Sequence, residues 1–123
     1  MIMGDNNYIS YQEENGSINI SEEVILTIVR AAVTEVEGVA SLSTTAGTEL
    51  AELIGLKSIP KGVTARFDNN KVITDVIINV SYGNNVVSVA KAVQDSVRSV
   101  IQATTGFEDA EVNVHVSGIS FDR

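Results

Sequence analysis

The chain of 123 residues contains no cysteine and no tryptophan, and only 5% of its residues are aromatic. Without cysteine the protein cannot form a disulfide frame, use a thiolate nucleophile or build a cysteine-containing zinc site, and it is compatible with a reducing compartment. With few aromatic residues, the core must consist mainly of small branched side chains. Such side chains suit strands and closely packed helices.

Basic residues are scarce, because 8 lysines and arginines stand against 16 acidic residues and give a net charge of -8. The bias is strongest in residues 1–55, where Arg30 is the only base. A chain with this charge repels nucleic acid phosphates and anionic lipid head groups. Nucleic acid and a bare membrane surface are therefore unlikely partners by composition.

Long apolar runs are missing as well. Polar residues interrupt every apolar run before it reaches the roughly 18 to 20 residues that a membrane-spanning helix needs, so we expect no direct membrane insertion. Residues 1–16 lack the basic head and apolar stretch of a secretory signal, which predicts a cytoplasmic protein. They are polar and without periodicity, and they predict a flexible N-terminal arm that ends at the Asn15-Gly16 turn.

Residues 17–123 have the length of one ordinary domain with one core. After a short strand at 17–20, Ser21 is a suitable N-cap for a first long helix with acidic residues in its first turn. The polar residues of this helix form one narrow stripe, so most of its circumference should be covered by the domain or by another chain. Gly38 is the expected stop, and Val39–Leu42 is the next predicted strand.

The segment 43–61 is predicted to be a small-residue loop followed by a two-turn amphipathic helix. Leu50, Leu53 and Ile54 share one side of that short helix. Together with the first long helix they offer more apolar surface than one small sheet needs. We therefore predict Leu50, Leu53 and Ile54 as partner-binding residues, and the alternative is that the core of the domain uses all of this apolar surface.

The second half of the chain predicts a hairpin, a second long helix and a final strand. The hairpin joins 63–67 to 71–82, and the helix lies between an Asn85 cap and Gly106. In the last strand the alternation of apolar residues changes parity at Gly118, which predicts a β-bulge. The expected fold is a two-layer α+β domain, with two long helices on one face of a mixed, mainly antiparallel sheet and one short amphipathic helix.

The only histidine, His115, shares a strand face with Ser117. Residues two apart on a strand are separated by about 7 Å, whereas a general base must lie within about 3 Å of the hydroxyl that it activates. A zinc site would need further nitrogen or sulfur ligands. His115 is therefore predicted to be a polar surface residue.

A second motif, Gly55-Leu56-Lys57-Ser58, resembles the end of a phosphate-binding loop. Leu56 separates the glycine from the lysine, and no upstream glycine stands at the required distance. We therefore predict no catalytic residues, no cofactor, no metal and no small-molecule substrate.

Several separated motifs resemble one known family. They are GSINISEEVILTIVRAAVTEVEGVASL at 16–42, KGV at 61–63, VSYG at 80–83 and NVHVSGISF at 113–121. Together they resemble the alkaline shock protein family, the Gls-type envelope stress proteins of Gram-positive bacteria. The resemblance implies a non-enzymatic cytoplasmic protein of the envelope stress response that forms homo-oligomers. Some members of that family are held at the inner face of the membrane by a small membrane-anchored partner, so the resemblance makes such a partner an expectation here.

A small RNA-binding or regulatory α+β domain is the alternative function. Two-layer α+β folds often bind RNA, and four bases lie close together in the sequence around the predicted hairpin: Lys57, Lys61, Arg66 and Lys71. Against this alternative stand the acidic net charge, the absence of a GXXG clamp and the lack of stacking aromatics.

Overall fold

The computed structural model describes residues 2–3, 8–42, 62–68 and 71–121. Within these ranges the fold is α+β and contains two helices. In chain order the elements are β1 (Ile2–Met3), β2 (Tyr8–Glu13), β3 (Gly16–Ser21), α1 (Glu22–Thr34), β4 (Val39–Leu42), β5 (Val63–Asp68), β6 (Lys71–Ser81), α2 (Val86–Thr105) and β7 (Ala110–Ser120). The predicted short helix with Leu50, Leu53 and Ile54 lies outside the described residues.

The long strand β6 organises a four-stranded mixed sheet. It pairs with β5 and β4 in antiparallel fashion and with β7 in parallel. Because β7 follows β6 along nearly its whole length, β5 and β4 share the opposite edge of β6, one after the other. The predicted hairpin, the predicted interior position of the long strand and the mainly antiparallel pairing are thus confirmed.

Helix α1 begins where the sequence predicts. The Ser21 hydroxyl accepts a hydrogen bond from the backbone N–H of Val24 at 3.3 Å, which satisfies one of the free donors of the first turn. The helix ends at Thr34, however, and not at Gly38. Gly38 instead forms the turn into β4 with φ of +98°, a backbone conformation that favours glycine.

Helix α2 is bounded by the predicted residues. The Asn85 side chain accepts a hydrogen bond from the backbone N–H of Ser88 at 2.9 Å. At the other end Gly106 takes a left-handed conformation, and its N–H donates to the carbonyl of Gln102 at 3.0 Å. Both ends of the helix are therefore satisfied by local hydrogen bonds.

One hydrophobic core joins both helices to the four-stranded sheet. Helix α1 packs on β4 and β5, α2 packs on β7, and the two helices contact each other. Apart from Phe107 the buried side chains of this core are aliphatic, as the composition predicted: Ile25, Val29, Val33, Val63, Ala65, Val72, Val76, Ile78, Val80, Val89, Val93, Val97, Ile101, Phe107, Ala110 and Val112.

The predicted bulge in β7 is confirmed. Ile78 pairs with Val116, but the next residue, Asn79, pairs with Gly118, so Ser117 is the extra residue. As a result Ile119 lies opposite Val80 and on the same sheet face as the core.

A second, three-stranded sheet precedes α1 and was not predicted. In it β2 pairs with β3 from Tyr8 opposite Ser21 to Glu13 opposite Gly16, and β1 pairs with β2. Strand β2 could not be predicted, because the segment lacks the alternating apolar pattern that marks a strand in the sequence. The division into an arm at 1–16 and a domain at 17–123 stays a prediction.

Candidate functional site

An open groove of about 530 Å³ runs between α1 and α2. Its lining is apolar or small, with Glu35 as the one ionisable residue: Ile28, Ala31, Ala32, Glu35, Ser96, Ser99 and Val100. Alanine and serine are too short to close the gap between the two helices. The groove is therefore a direct consequence of small residues on the facing helix flanks.

The apolar circumference of α1 is only partly used by the described part of the chain. Ile25, Val29 and Val33 are buried, but Val24 is 45% exposed and Ala31 is exposed. The sequence predicted a helix covered on most sides, by the domain or by another chain. Because the flank beside the groove is not covered by the described residues, these residues supply only part of the predicted cover.

On the sheet face away from the main core, a buried carboxylate organises a polar cluster. The Asp75 side chain is only 4% exposed, and its Oδ2 lies 2.9 Å from Nη1 of Arg66. The side-chain amide of Asn113 donates to the other oxygen at 3.1 Å. An ion pair and a hydrogen bond thus compensate the burial of this carboxylate.

His115 belongs to the same cluster, and the prediction of a polar surface position is wrong. Its side chain is only 22% exposed, because its strand neighbours on that face, Ile77 and Asp75, are themselves buried. Its Nε2 lies 3.7 Å from Oδ1 of Asp75, beyond hydrogen-bond distance, and has no hydrogen-bond partner among the described residues. The strand alternation predicted the correct face but not the burial of that face.

The cluster does not assemble a base and a nucleophile. The Ser117 hydroxyl donates to Oδ1 of Asn79 at 3.1 Å and lies 3.5 Å from the carbonyl of Ile78. It is thus engaged away from the imidazole. Within the ranges that the structure describes, no group of three or more histidine, cysteine, aspartate or glutamate side chains could hold a metal ion.

Two of the four bases invoked for RNA binding are engaged in ion pairs. Arg66 binds Asp75, and Nζ of Lys71 lies 3.7 Å from Oε1 of Glu111. Lys57 and Lys61 lie outside the described residues. An ion pair with a carboxylate lowers the attraction of a base for a phosphate. These four bases therefore offer a weaker phosphate-binding surface than the sequence suggested.

An exposed aromatic pair marks the end of the sheet. The rings of Tyr82 and Phe121 stack with centroids 4.8 Å apart, although the residues are 67% and 72% exposed. Ile119 and Val87 are exposed as well. Tyr82 is the last residue of the strand predicted at 71–82, but strand alternation cannot tell whether a residue at the strand end is covered.

A family model described as having a "cell envelope-related function" matches residues 10–121 of the chain. The chain belongs to the alkaline shock protein 23 family. The family resemblance found in the sequence motifs is thereby confirmed.

Two bacterial relatives have comparable length. The chain is 32% identical to the uncharacterized protein YqhY of Bacillus subtilis over 123 residues, which cover 98% of this chain and 91% of the relative. It is also 32% identical to the uncharacterized protein Spy1535 of Streptococcus pyogenes, over 88% of this chain and 82% of the relative. Both matches therefore cover most of this chain.

Among solved structures, the copper form of MamM CTD is similar with a TM-score of 0.49 and 16% sequence identity. The match covers 82% of this chain and 89% of that one. In the part of this chain that the structure describes, neither helix is both long enough and apolar enough to cross a bilayer.

Proposed function

We propose that this protein is a non-enzymatic scaffold of the envelope stress response, which acts by self-association and by binding a protein partner at the cytoplasmic side of the membrane. The observation that carries the proposal is the open groove between α1 and α2. In the proposed arrangement, both helices cover the same face of the four-stranded sheet. The groove then lies on the outer surface of the helical layer.

The groove suits the apolar ridge of a third helix. Alanine and serine on its walls allow a close approach of another backbone, and Ile28 and Val100 offer apolar contacts. Helix-in-groove binding of this kind uses apolar anchors spaced by three or four residues. Leu50, Leu53 and Ile54 remain a further proposed part of the partner-binding surface.

The polar cluster around Asp75 supports a structural role better than a catalytic one. The carboxylate is engaged by Arg66 and Asn113, and the Ser117 hydroxyl is bound elsewhere. A catalytic base needs a substrate proton within hydrogen-bond reach. We therefore assign no reaction to His115.

Attachment to the membrane is proposed to be indirect. The net charge of -8 opposes binding to anionic lipid head groups. A small membrane-anchored protein whose cytoplasmic helix enters the groove would supply the attachment.

The test compares two arginine variants of the same helix in Gram-positive cells and in purified protein. Ala31→Arg places a long charged side chain in the groove, while Thr34→Arg adds the same side chain on the exposed polar stripe. Crosslinked pull-downs should recover a membrane-spanning protein with the wild type and with Thr34→Arg, but not with Ala31→Arg. A wild type that is monomeric in light scattering and recovers no partner would refute the proposal.

A further inference from the structure

The outer edge of β7 is only partly protected. The backbone N–H of Val72 donates to the carbonyl of Asp109, so in this parallel pair the odd-numbered residues of β7 before the bulge turn their backbone groups towards β6. The even-numbered residues therefore turn their N–H and C=O groups away from β6. Beyond the bulge the order reverses, since Tyr82 donates to the carbonyl of Ser120.

Side chains of α2 cover the first part of this edge. Nε2 of Gln94 donates to the carbonyl of Val112 at 3.1 Å, and Nε of Arg98 donates to the carbonyl of Ala110 at 3.4 Å. Along the rest of the edge, within the described residues, β7 pairs with β6 alone. No hydrogen-bond partner among the described residues engages the outward backbone groups of Val114, Val116 and Ile119.

The open stretch lacks the usual devices that keep strand edges apart. Native edge strands carry lysines, prolines or inward-pointing charges, whereas residues 114–119 contain no proline and no charged residue apart from the titratable His115. The bulge at Ser117 is the one protective feature. The stretch continues into the exposed side chains of Ile119 and Phe121.

We propose that the open stretch 114–119 of β7 pairs with the same stretch of a second copy of this chain, in antiparallel orientation about a two-fold axis. This inference rests on the self-association part of the proposed function. Two identical strand edges complement each other automatically in an antiparallel pair, as an isologous interface requires. Gln94 and Arg98 confine the pairing to the residues beyond Val112.

Charge favours a second copy at this edge rather than at the groove. Each copy carries a net charge of -8, so two copies repel one another in most orientations. A two-fold contact through the groove would bring Glu35 near its own equivalent. The stretch 114–119 contains no carboxylate, and the groove stays free for a different partner.

Two substitutions test the pairing. Val116→Pro removes an N–H that points away from β6, so it should preserve the sheet and block the new ladder. Ile119→Lys places a charge on an exposed side chain at the same edge. Each should raise the dissociation constant of the dimer by about tenfold or more in analytical ultracentrifugation, with an unchanged circular dichroism spectrum.

Two single-cysteine variants can locate the contact, because the chain itself contains no cysteine. A short bismaleimide should crosslink Ser117→Cys into covalent dimers, whereas Ser99→Cys, on the groove wall, should form no covalent dimer. Crosslinking of Ser99→Cys alone, or dimers unaffected by Val116→Pro and Ile119→Lys, would overturn the edge pairing and leave self-association intact. A wild type that is monomeric at every concentration would overturn both.

Discussion

On one face of β6 the side chains join the main core, whereas on the other face a carboxylate lies between two isoleucines. The first face contributes four aliphatic residues: Val72, Val76, Ile78 and Val80. The second face contributes Ile73, Asp75 and Ile77, and all three are buried. Apolar contacts on the first face tolerate exchange of one aliphatic residue for another, whereas the carboxylate of the second face requires particular partners at particular positions.

Truncation of neighbouring isoleucines would test whether the two faces are equally well packed. Ile78→Ala removes a fully buried side chain from the main core and should lower the free energy of unfolding by about 2 to 5 kcal/mol. Ile77→Ala removes the same group from the second face, and because Ile77 is equally buried we expect the same range. Urea denaturation measures both. A cost below about 1 kcal/mol for Ile77→Ala would show that the second face is loosely covered.

Two glycines with the same backbone conformation would isolate a close contact on the helical side. Gly38 and Gly83 both have φ of +98°, but a Cβ on Gly38 would lie 2.6 Å from Cγ2 of Val89, while one on Gly83 meets nothing within 4 Å. Backbone strain of about 1 to 3 kcal/mol should affect both alanine variants. Gly38→Ala should lose about 1 to 3 kcal/mol more through overpacking, as measured by urea denaturation. Equal costs would mean that α2 moves aside freely.

The two partners of the ion pair on the second face should differ in their effect. Arg66→Ala leaves a buried carboxylate with Asn113 as its remaining hydrogen-bond donor among the described residues, whereas Asp75→Asn leaves an arginine side chain that is 49% exposed and solvated. We expect a cost of about 2 to 3 kcal/mol for Arg66→Ala and about 1 kcal/mol for Asp75→Asn in thermal or urea unfolding. The reverse order would contradict the burial of the carboxylate.

The smallest effect should come from the histidine. His115→Ala removes a side chain whose Nε2 has no hydrogen-bond partner in the described part of the chain, so the fold and the association should be unchanged, with a stability change within about 1 kcal/mol. Circular dichroism and light scattering measure these outcomes. Loss of dimers in this variant would connect the second face to assembly.

Much of the fold followed from local rules in the sequence. Ser21 and Asn85 predicted both helix starts, since their side chains accept hydrogen bonds from the first turns. The change of parity at Gly118 predicted the bulge because each β-strand residue reverses its side-chain direction. The end of α1 was misplaced by four residues, since a glycine four positions beyond a helix can serve the following turn equally well.

The candidate site was less accessible to sequence reasoning. The groove depends on which flanks of two helices face each other, and no local pattern gives that arrangement. Likewise, the burial of His115 depends on Asp75 and Ile77 from a strand nearly forty positions earlier. The spacing of apolar residues predicted that α1 has more apolar surface than the sheet needs. Which flank of α1 stays uncovered depends on where α2 packs, and the sequence does not show that.

The extra residue in β7 decides what the tip of the sheet offers to its surroundings. If the pairing of β6 with β7 were uninterrupted, Ile119 would pair with Ser81 rather than Val80. Its apolar side chain would then lie on the opposite face of the sheet. Loss or gain of one residue at Ser117 would therefore move Ile119 to the opposite face of the sheet, while the pairing of residues 110–116 with β6 could keep its register.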